Sequence, residues 1–235
     1  MFSRPVSPNG EAGLLFASEC ERSGYNAVDM SDDSGLAAVI LIGGRSRRFG
    51  RDKAAEVVGG RSLLQHVVDA VSPLAQEIVV VASRSGAFPT VDSALPLKHV
   101  EDAREGAGAL GGLYSGLLVA SHPQAVALAC DMPLLSLPLL RHLHSLLTDE
   151  WDVVMPRGQG REEPLHAFYR STCIPAIERL LDRGGRRFVD FLPEVRVRYV
   201  PQEEIERFDP EGRSFWNVNN AADLSRLLPL LEAKA

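Results

Sequence analysis

The sequence predicts an α/β fold with a doubly wound, mostly parallel sheet that carries helices on both faces. Three observations support this prediction. Apolar runs of strand length alternate with segments whose apolar residues recur at helical spacing. The first run, residues 36–42, is apolar throughout, which is typical of a strand buried on both faces of a parallel sheet. Glycines or acidic residues follow several of the runs directly, where ligands bind in such a fold.

The predicted elements follow one another in a regular order. After the first strand, further strands are predicted at residues 77–82, 97–100, 124–130, 152–155, 165–169 and 195–200, the last with an exposed face at the sheet edge. Helices are predicted at residues 62–71, 113–119, 134–147, 174–181 and 224–231. Pro73 ends the first helix, Pro138 lies in the first turn of the third, and residues 156–163 are predicted to form a polar loop.

The composition restricts the classes of function. The chain has 235 residues and a net charge of -6, which argues against a nucleic-acid-binding surface. No apolar run approaches the roughly 20 residues that cross a bilayer. Cys20, Cys130 and Cys173 are odd in number and far apart, so neither a disulfide framework nor a thiolate zinc site is indicated, and a reducing, cytoplasmic location is expected. Residues 1–35 are predicted to form a partly disordered extension ahead of one domain, residues 36–235.

A glycine turn and a cluster of cations follow the first strand. Gly43 and Gly44 allow a sharp turn and a close backbone approach to a ligand, and their amides can bind phosphate oxygens. Arg48 and Lys53 could hold the same anion. The spacing matches neither a P-loop nor a dinucleotide-binding fingerprint. From the residues alone, a phosphate-binding loop and an ordinary solvated turn both remain open.

Two aspartates at predicted strand ends also have two interpretations each. Asp131 directly follows a buried strand, so it could bind Mg²⁺ beside a triphosphate, or it could cap the next helix. Asp102 could contact a ribose or base, or it could be a turn residue. The histidines indicate no metal pair, since His142 and His144 are two positions apart and face different directions on a helix. For His166, packing is the favoured role.

Four separated segments together resemble the molybdenum cofactor guanylyltransferase family, the MobA-type proteins of the nucleotidyltransferase superfamily. Residues 41–53 resemble its Leu-Ala-Gly-Gly-x-Ser-x-Arg-Met-Gly-x-Asp-Lys signature, and residues 108–113 resemble its Gly-Pro-Leu-Ala-Gly segment. Residues 130–133 are its Cys-Asp-Met-Pro, and residues 217–220 resemble its Asn-Val-Asn-Thr. The resemblance covers roughly residues 36–231.

The resemblance implies a Rossmann-like nucleotidyltransferase fold and a Mg²⁺-dependent transfer of GMP from GTP to molybdopterin-bound molybdenum cofactor, with release of pyrophosphate. It further implies that molybdoenzymes or their chaperones receive the product. When the family's residue roles are carried over by position, the residues that would bind the nucleotide are Leu41, Ile42, Gly43, Gly44, Lys53, Asp102 and Asp131. Arg48, Lys53 and Asp131 would be catalytic, Asp131 would bind the metal, and Asn217 and Asn219 would bind the acceptor.

Some positions depart from the family pattern. Ile42 replaces the usual alanine, which is tolerable if only its backbone faces the nucleotide, and Ser83 is a weak counterpart of an asparagine after the second strand. The Gly43–Gly44 pair resembles guanylyl-type relatives, whereas cytidylyl-type relatives tend to have Ala-Gly. The alternatives are a cytidylyl or sugar-phosphate nucleotidyltransferase, and a nucleotide-binding scaffold without turnover.

Overall fold

The computed structural model describes residues 35–42, 53–83, 88–104, 106–158 and 160–232. The strands are β1 (Leu36–Ile42), β2 (Val57–Val58), β3 (Arg61–Ser62), β4 (Glu77–Ala82), β5 (Leu97–Glu101), β6 (Gln124–Ala129), β7 (Val153–Gly158), β8 (Arg161–Glu162), β9 (His166–Arg170) and β10 (Val197–Val200). The α-helices are α1 (Leu63–Val71), α2 (Gly108–Val119), α3 (Leu137–Ser145), α4 (Ile174–Asp182), α5 (Gln202–Ile205) and α6 (Ala221–Glu232). Of the predicted extension, only Gly35 is among these residues.

The main sheet has the strand order β10-β7-β9-β6-β1-β4-β5, and β8 pairs with β7 outside this path. Strand β1 pairs in parallel with both β4 and β6, β4 with β5, and β7 with β10. Strand β9 is antiparallel to both of its neighbours, β6 and β7. The sheet is therefore mostly parallel, as predicted, and β10 lies at an edge, also as predicted.

Alternate residues of β1 enter two separate core layers. Leu36, Ala38 and Ile40 pack in the layer that contains apolar residues of α1 and α3. Ala37 and Val39 pack in the layer that contains residues of α2 and α4. Because side chains alternate between the faces of a strand, this division places helices on both faces of the sheet. It explains why the run is apolar at every position, and it confirms the predicted doubly wound class.

Helix α2 lies unusually close to β1 because two of its glycines face that strand. A Cβ atom at Gly112 would lie 3.1 Å from a methyl carbon of Leu41, and one at Gly116 would overlap the side chain of Val39. The two glycines are four positions apart and so lie on the same helix face. Since Leu41 is near the end of β1 and Val39 is farther inside, the N-terminal turn of α2 lies at the carboxyl end of the sheet.

Two segments differ from their predicted structure. Residues 156–163 are not a loop, since β7 continues to Gly158 and pairs with β8. This polar, glycine-containing sequence forms a hairpin in which Arg157 lies opposite Glu162. A second hairpin, β2–β3, precedes α1 and was not predicted. Its turn residues Gly59 and Gly60 both have positive φ, which a tight two-residue hairpin turn favours.

Candidate active site

Three predicted site residues from distant parts of the chain meet at the carboxyl end of the parallel strands. The Nζ atom of Lys53 lies 2.7 Å from Oδ2 of Asp131 and 3.2 Å from Oδ1 of Asn219. The lysine side chain is 13% exposed and that of Asp131 is 24% exposed. A charge pair at this depth is screened less by salt than a surface pair, and it can still be reached by a ligand. Lys53 thus connects a strand-end carboxylate to the segment near the C-terminus.

Asp131 is held rigidly where β6 ends. The backbone N–H of Met132 donates to the carbonyl of Ala129, which closes a tight turn, and Val218 N–H donates to the carbonyl of Asp131 at 2.9 Å. The predicted alternative role as a helix cap is wrong. The cap of α3 is Ser136, whose hydroxyl accepts from the backbone N–H of Leu139. The carboxylate of Asp131 faces Lys53 instead.

Lys53 is the first residue of a single 3-10 turn, Lys53–Ala55, and burial of the next residue, Ala54, fixes this turn. Ala54 is buried in the core layer beneath α1, and Glu56 N–H donates to the carbonyl of Lys53. The ammonium group is therefore presented by a short, well-anchored piece of backbone.

The segment 217–220 anchors two asparagines through the residue between them. Val218 is fully buried, whereas Asn217 is half-buried and Asn219 is exposed. Helix α6 begins directly after them with a reciprocal cap: Asn220 Oδ1 accepts from Asp223 N–H, and Asp223 Oδ2 accepts from the N–H groups of Asn219 and Asn220. The cap fixes the backbone from which the Asn219 side chain reaches Lys53.

Asp102 lies at the same end of the sheet, after β5, but it does not contact Lys53 or Asp131. Its Oδ1 accepts from Arg104 N–H at 2.9 Å, and the Ser115 hydroxyl lies 3.1 Å away. A hydrogen bond to the backbone two residues on is typical of an aspartate that stabilises a turn. The predicted nucleoside contact therefore stays a prediction, and the turn role is present.

Leu41 and Ile42 end β1 with buried side chains, 7% and 4% exposed. They pack in opposite core layers, so only their backbone groups can face a ligand at the strand end. This is the condition under which isoleucine in place of alanine at position 42 is tolerated. Gly43, Gly44 and Arg48 lie outside the described residues.

A cavity of about 810 Å³ adjoins the Lys53 cluster. Its wall includes both predicted acceptor residues, Asn217 and Asn219, together with Phe215, Trp216 and Glu163. The asparagines are linked along the wall, since Asn219 Nδ2 donates to the carbonyl of Asn217 at 3.4 Å and Asn217 Nδ2 donates to that of Phe215 at 3.2 Å. A polar path thus runs from Lys53 into the cavity.

Burial changes the pKa of two groups near this cavity. Desolvation raises the pKa of the half-buried Glu163 carboxyl, an effect that nearby Arg161 opposes. Desolvation also lowers the pKa of His166 to about 4, with an opposing effect from Asp209. His166 is fully buried and packs against Phe215, with ring centroids 4.8 Å apart. The packing role predicted for His166 agrees with this burial.

The chain is similar to known proteins over most of its length. The model of the MobA-like NTP transferase domain matches residues 38–197. The chain belongs to this family. A probable molybdenum cofactor guanylyltransferase from Pelotomaculum thermopropionicum is 34% identical over 194 residues, which are 83% of this chain and 92% of the relative. A molybdenum cofactor guanylyltransferase from Desulfosudis oleivorans is 31% identical and covers 84% of this chain and 96% of the relative.

Two solved structures have the same fold as this chain. Molybdopterin-guanine dinucleotide biosynthesis protein A from Archaeoglobus fulgidus superposes with a TM-score of 0.68 at 27% identity, covering 84% of this chain and 99% of the other. 2-C-methyl-D-erythritol 4-phosphate cytidylyltransferase from Thermus thermophilus superposes at 0.62 with 18% identity, covering 86% and 100%. The second likeness concerns the fold alone.

Sequence reasoning did not identify Glu163 or Phe215 as site residues. Glu163 lies in the polar stretch 156–163, which follows a predicted strand and is predicted to form a loop. In the structure Glu163 directly follows β8, and its side chain and that of Phe215 both approach Gly158 of β7. The signal for the hairpin was the glycine at position 160, which has a positive φ.

Proposed function

We infer that this protein transfers GMP from GTP to the molybdenum cofactor and forms molybdopterin guanine dinucleotide and pyrophosphate. The observation that carries this inference is the meeting of Lys53, Asp131 and Asn219, which come from three of the four segments that define the family resemblance. The two relatives described above are named for this activity, and each aligns with most of this chain. A cytoplasmic location and delivery of the product to molybdoenzymes or their chaperones are part of the proposal.

The residues suit nucleotidyl transfer without a protein nucleophile. In the reaction, an oxygen of the acceptor's terminal phosphate forms a bond to the α-phosphorus of GTP, and the bond from that phosphorus to the bridging oxygen of pyrophosphate breaks. Such a transfer depends on positioning and on neutralising oxygen charge. Lys53 supplies a fixed positive charge. Asn219, which contacts Lys53 and lines the acceptor cavity, is placed to keep the acceptor next to it.

Asp131 is proposed to bind Mg²⁺. Its carboxylate is an oxygen donor at the strand end, beside the cation that would bind the same phosphates. Mg²⁺ commonly takes one or two protein carboxylates and completes its coordination with phosphate oxygens and water. The donor set therefore fits this ion, which when bound would neutralise charge on the phosphates. We further propose that Gly43, Gly44 and Arg48 bind the triphosphate and that Asp102 contacts the nucleoside.

Purified protein mixed with GTP, Mg²⁺ and molybdenum-loaded molybdopterin should release pyrophosphate and form the guanine dinucleotide. Asp131→Asn should lower kcat by about 100-fold or more, because a fixed electrostatic contribution to the transition state is lost. Asp149→Asn, at a carboxylate that is 93% exposed, is the matched control. Turnover with CTP but not GTP would favour the cytidylyl alternative. Binding of GTP with no turnover would favour a scaffold.

A further inference from the structure

Glu163 differs from the other carboxylates of the cavity wall. Asp223 accepts from two backbone N–H groups at the start of α6, and Glu211 forms an ion pair with Arg213. Glu163 has a backbone that is fixed, since its N–H donates to the carbonyl of Pro156 and its own carbonyl accepts from His166 N–H. Its carboxylate makes no hydrogen bond or ion pair with any of the residues that the structure describes. Among the described residues, the carboxylate of Glu163 is thus an acceptor on a fixed backbone, and the nearest cationic influence is that of Arg161.

An aromatic ring lies next to this carboxylate. A Cβ atom at Gly158 would lie 3.6 Å from a ring carbon of Phe215 and 3.7 Å from Cγ of Glu163, so both side chains approach the same point of β7. The absence of a side chain at Gly158 leaves room there. Phe215 and Trp216 both line the cavity. A flat ring system bound against this wall would have its edge near the Glu163 carboxylate.

Glu163 and Lys53 are close enough for one ligand, a ring system that carries a phosphate, to reach both. Phe215 and Asn219 are four positions apart in the sequence, so their Cα atoms lie at most about 14 Å apart. Asn219 contacts Lys53 at one end of this segment, and Phe215 is beside Glu163 at the other. A ligand that places its phosphate at Lys53 can therefore place its ring system at Glu163.

We propose that Glu163 determines specificity for the acceptor by accepting two hydrogen bonds from the pyrimidine edge of its pterin. This edge carries a ring N–H beside an exocyclic amino group, so two donors point the same way. An ionised carboxylate is an acceptor only, and its two oxygens can take a pair of parallel hydrogen bonds. The two donors would also offset the desolvation that raises the pKa of Glu163. The inference rests on the proposed function.

Glu163→Gln keeps the shape of the side chain but replaces one acceptor oxygen by a donor. It should raise the KM for molybdopterin by about 10-fold or more, since hydrogen bonds to a charged acceptor are stronger than those between neutral groups. The KM for GTP should stay the same. The matched control is Glu162→Gln, because the neighbouring carboxylate pairs with Arg157 and does not line the cavity. An unchanged acceptor KM in Glu163→Gln would overturn the inference.

A second measurement separates recognition from a merely structural role. Neopterin monophosphate and its counterpart with a keto oxygen in place of the amino group are compared as inhibitors of GMP transfer. The wild-type protein should prefer the amino compound, and Glu163→Gln should lose or reverse the preference because its amide can donate to the keto oxygen. The absence of a preference in the wild-type protein, including failure of both compounds to inhibit, counts against the inference. If the wild-type protein transfers no GMP to molybdopterin at all, the proposed function itself fails.

Discussion

His166 is a buried histidine that remains neutral. Neither ring nitrogen has a hydrogen-bond partner in the part of the chain that the structure describes, and the side chain is fully excluded from solvent. Burial lowers its pKa from 6.5 to about 4. The folded protein therefore binds this proton less readily than the unfolded chain does.

The sign of this linkage gives a prediction for the free energy of unfolding. The contribution from neutral His166 is fully present above about pH 6.5 and is lost as the pH falls through about 4. Between about pH 7 and pH 5 it should fall by about 2 kcal/mol. Urea unfolding at both pH values measures this decrease. His166→Leu should remove that part of the pH dependence, and an equally steep decrease in the variant would contradict the assignment to His166.

The site residues differ in how far the sequence could predict them. Lys53, Asp131 and Asn219 belong to segments whose spacing is distinctive, and the structure brings them together. Asp102 follows its strand as expected, yet its carboxylate stabilises a turn. Glu163 lies in the stretch 156–163, which the sequence predicts to be a polar loop at a strand end. Its selection from that stretch depends on the pairing of β7 with β8, which its own neighbours in the sequence do not indicate.

The packing of helix α2 against the sheet can be tested by a substitution at Gly116. Gly116→Ala adds a methyl group that overlaps Val39, a buried and β-branched residue. In an open helix the same change would be stabilising by about 1 kcal/mol. Here the free energy of unfolding should fall by about 1–3 kcal/mol, because an overpacked core must shift. Urea denaturation measures the change.

Two further variants control for other effects of Gly116→Ala. Leu118→Ala changes the same helix at a side chain that is 47% exposed, and should alter stability by less than about 1 kcal/mol. In a Val39→Ala background the cost of Gly116→Ala should be smaller, since the overlapping atoms are gone. An equal cost in both backgrounds would show that the two residues are not coupled.

The edge strand β10 depends on a polar network that the sequence did not indicate. The Asp152 carboxylate accepts from the backbone N–H and the guanidinium of Arg196 and from the hydroxyl of Thr172. These hydrogen bonds, those of Arg196 above all, hold the pKa of Asp152 far below its usual value. The alternating pattern of residues 195–200 predicted an edge strand, but the choice of β7 as its partner is fixed by this contact between distant residues.

At the scale of the molecule, the described members of the site and of both core layers all lie after residue 35. A variant that starts at Gly35 should therefore fold and transfer GMP with the KM for GTP of the full chain. Circular dichroism, thermal unfolding and pyrophosphate release measure this. If the shortened chain is unfolded or inactive, the prediction that residues 1–35 are a separate extension is wrong.

The fold class was predictable because it depends on apolar periodicity, which is local. The runs at residues 36–42 and 77–82 are β1 and β4 themselves. The direction of β9 was not predictable, since its apolar residues would suit either orientation, and only its pairing with β6 and β7 decides between them. Each hairpin has only two paired positions, so both lack the periodicity on which such predictions depend.

The antiparallel direction of β9 affects where this fold can accept insertions. A parallel strand returns through a crossover that must span the sheet, whereas an antiparallel strand can be entered at the end where the preceding strands finish. His166 accordingly lies opposite Leu128 near the end of β6, so β9 begins at the end of the sheet where β6 finishes. Lengthening a surface connection costs only about 0.6 kcal/mol per doubling. Insertions between β7 and β8 should thus reshape the cavity lined by Gly158 and Glu163 while the parallel strands next to Asp131 keep their register.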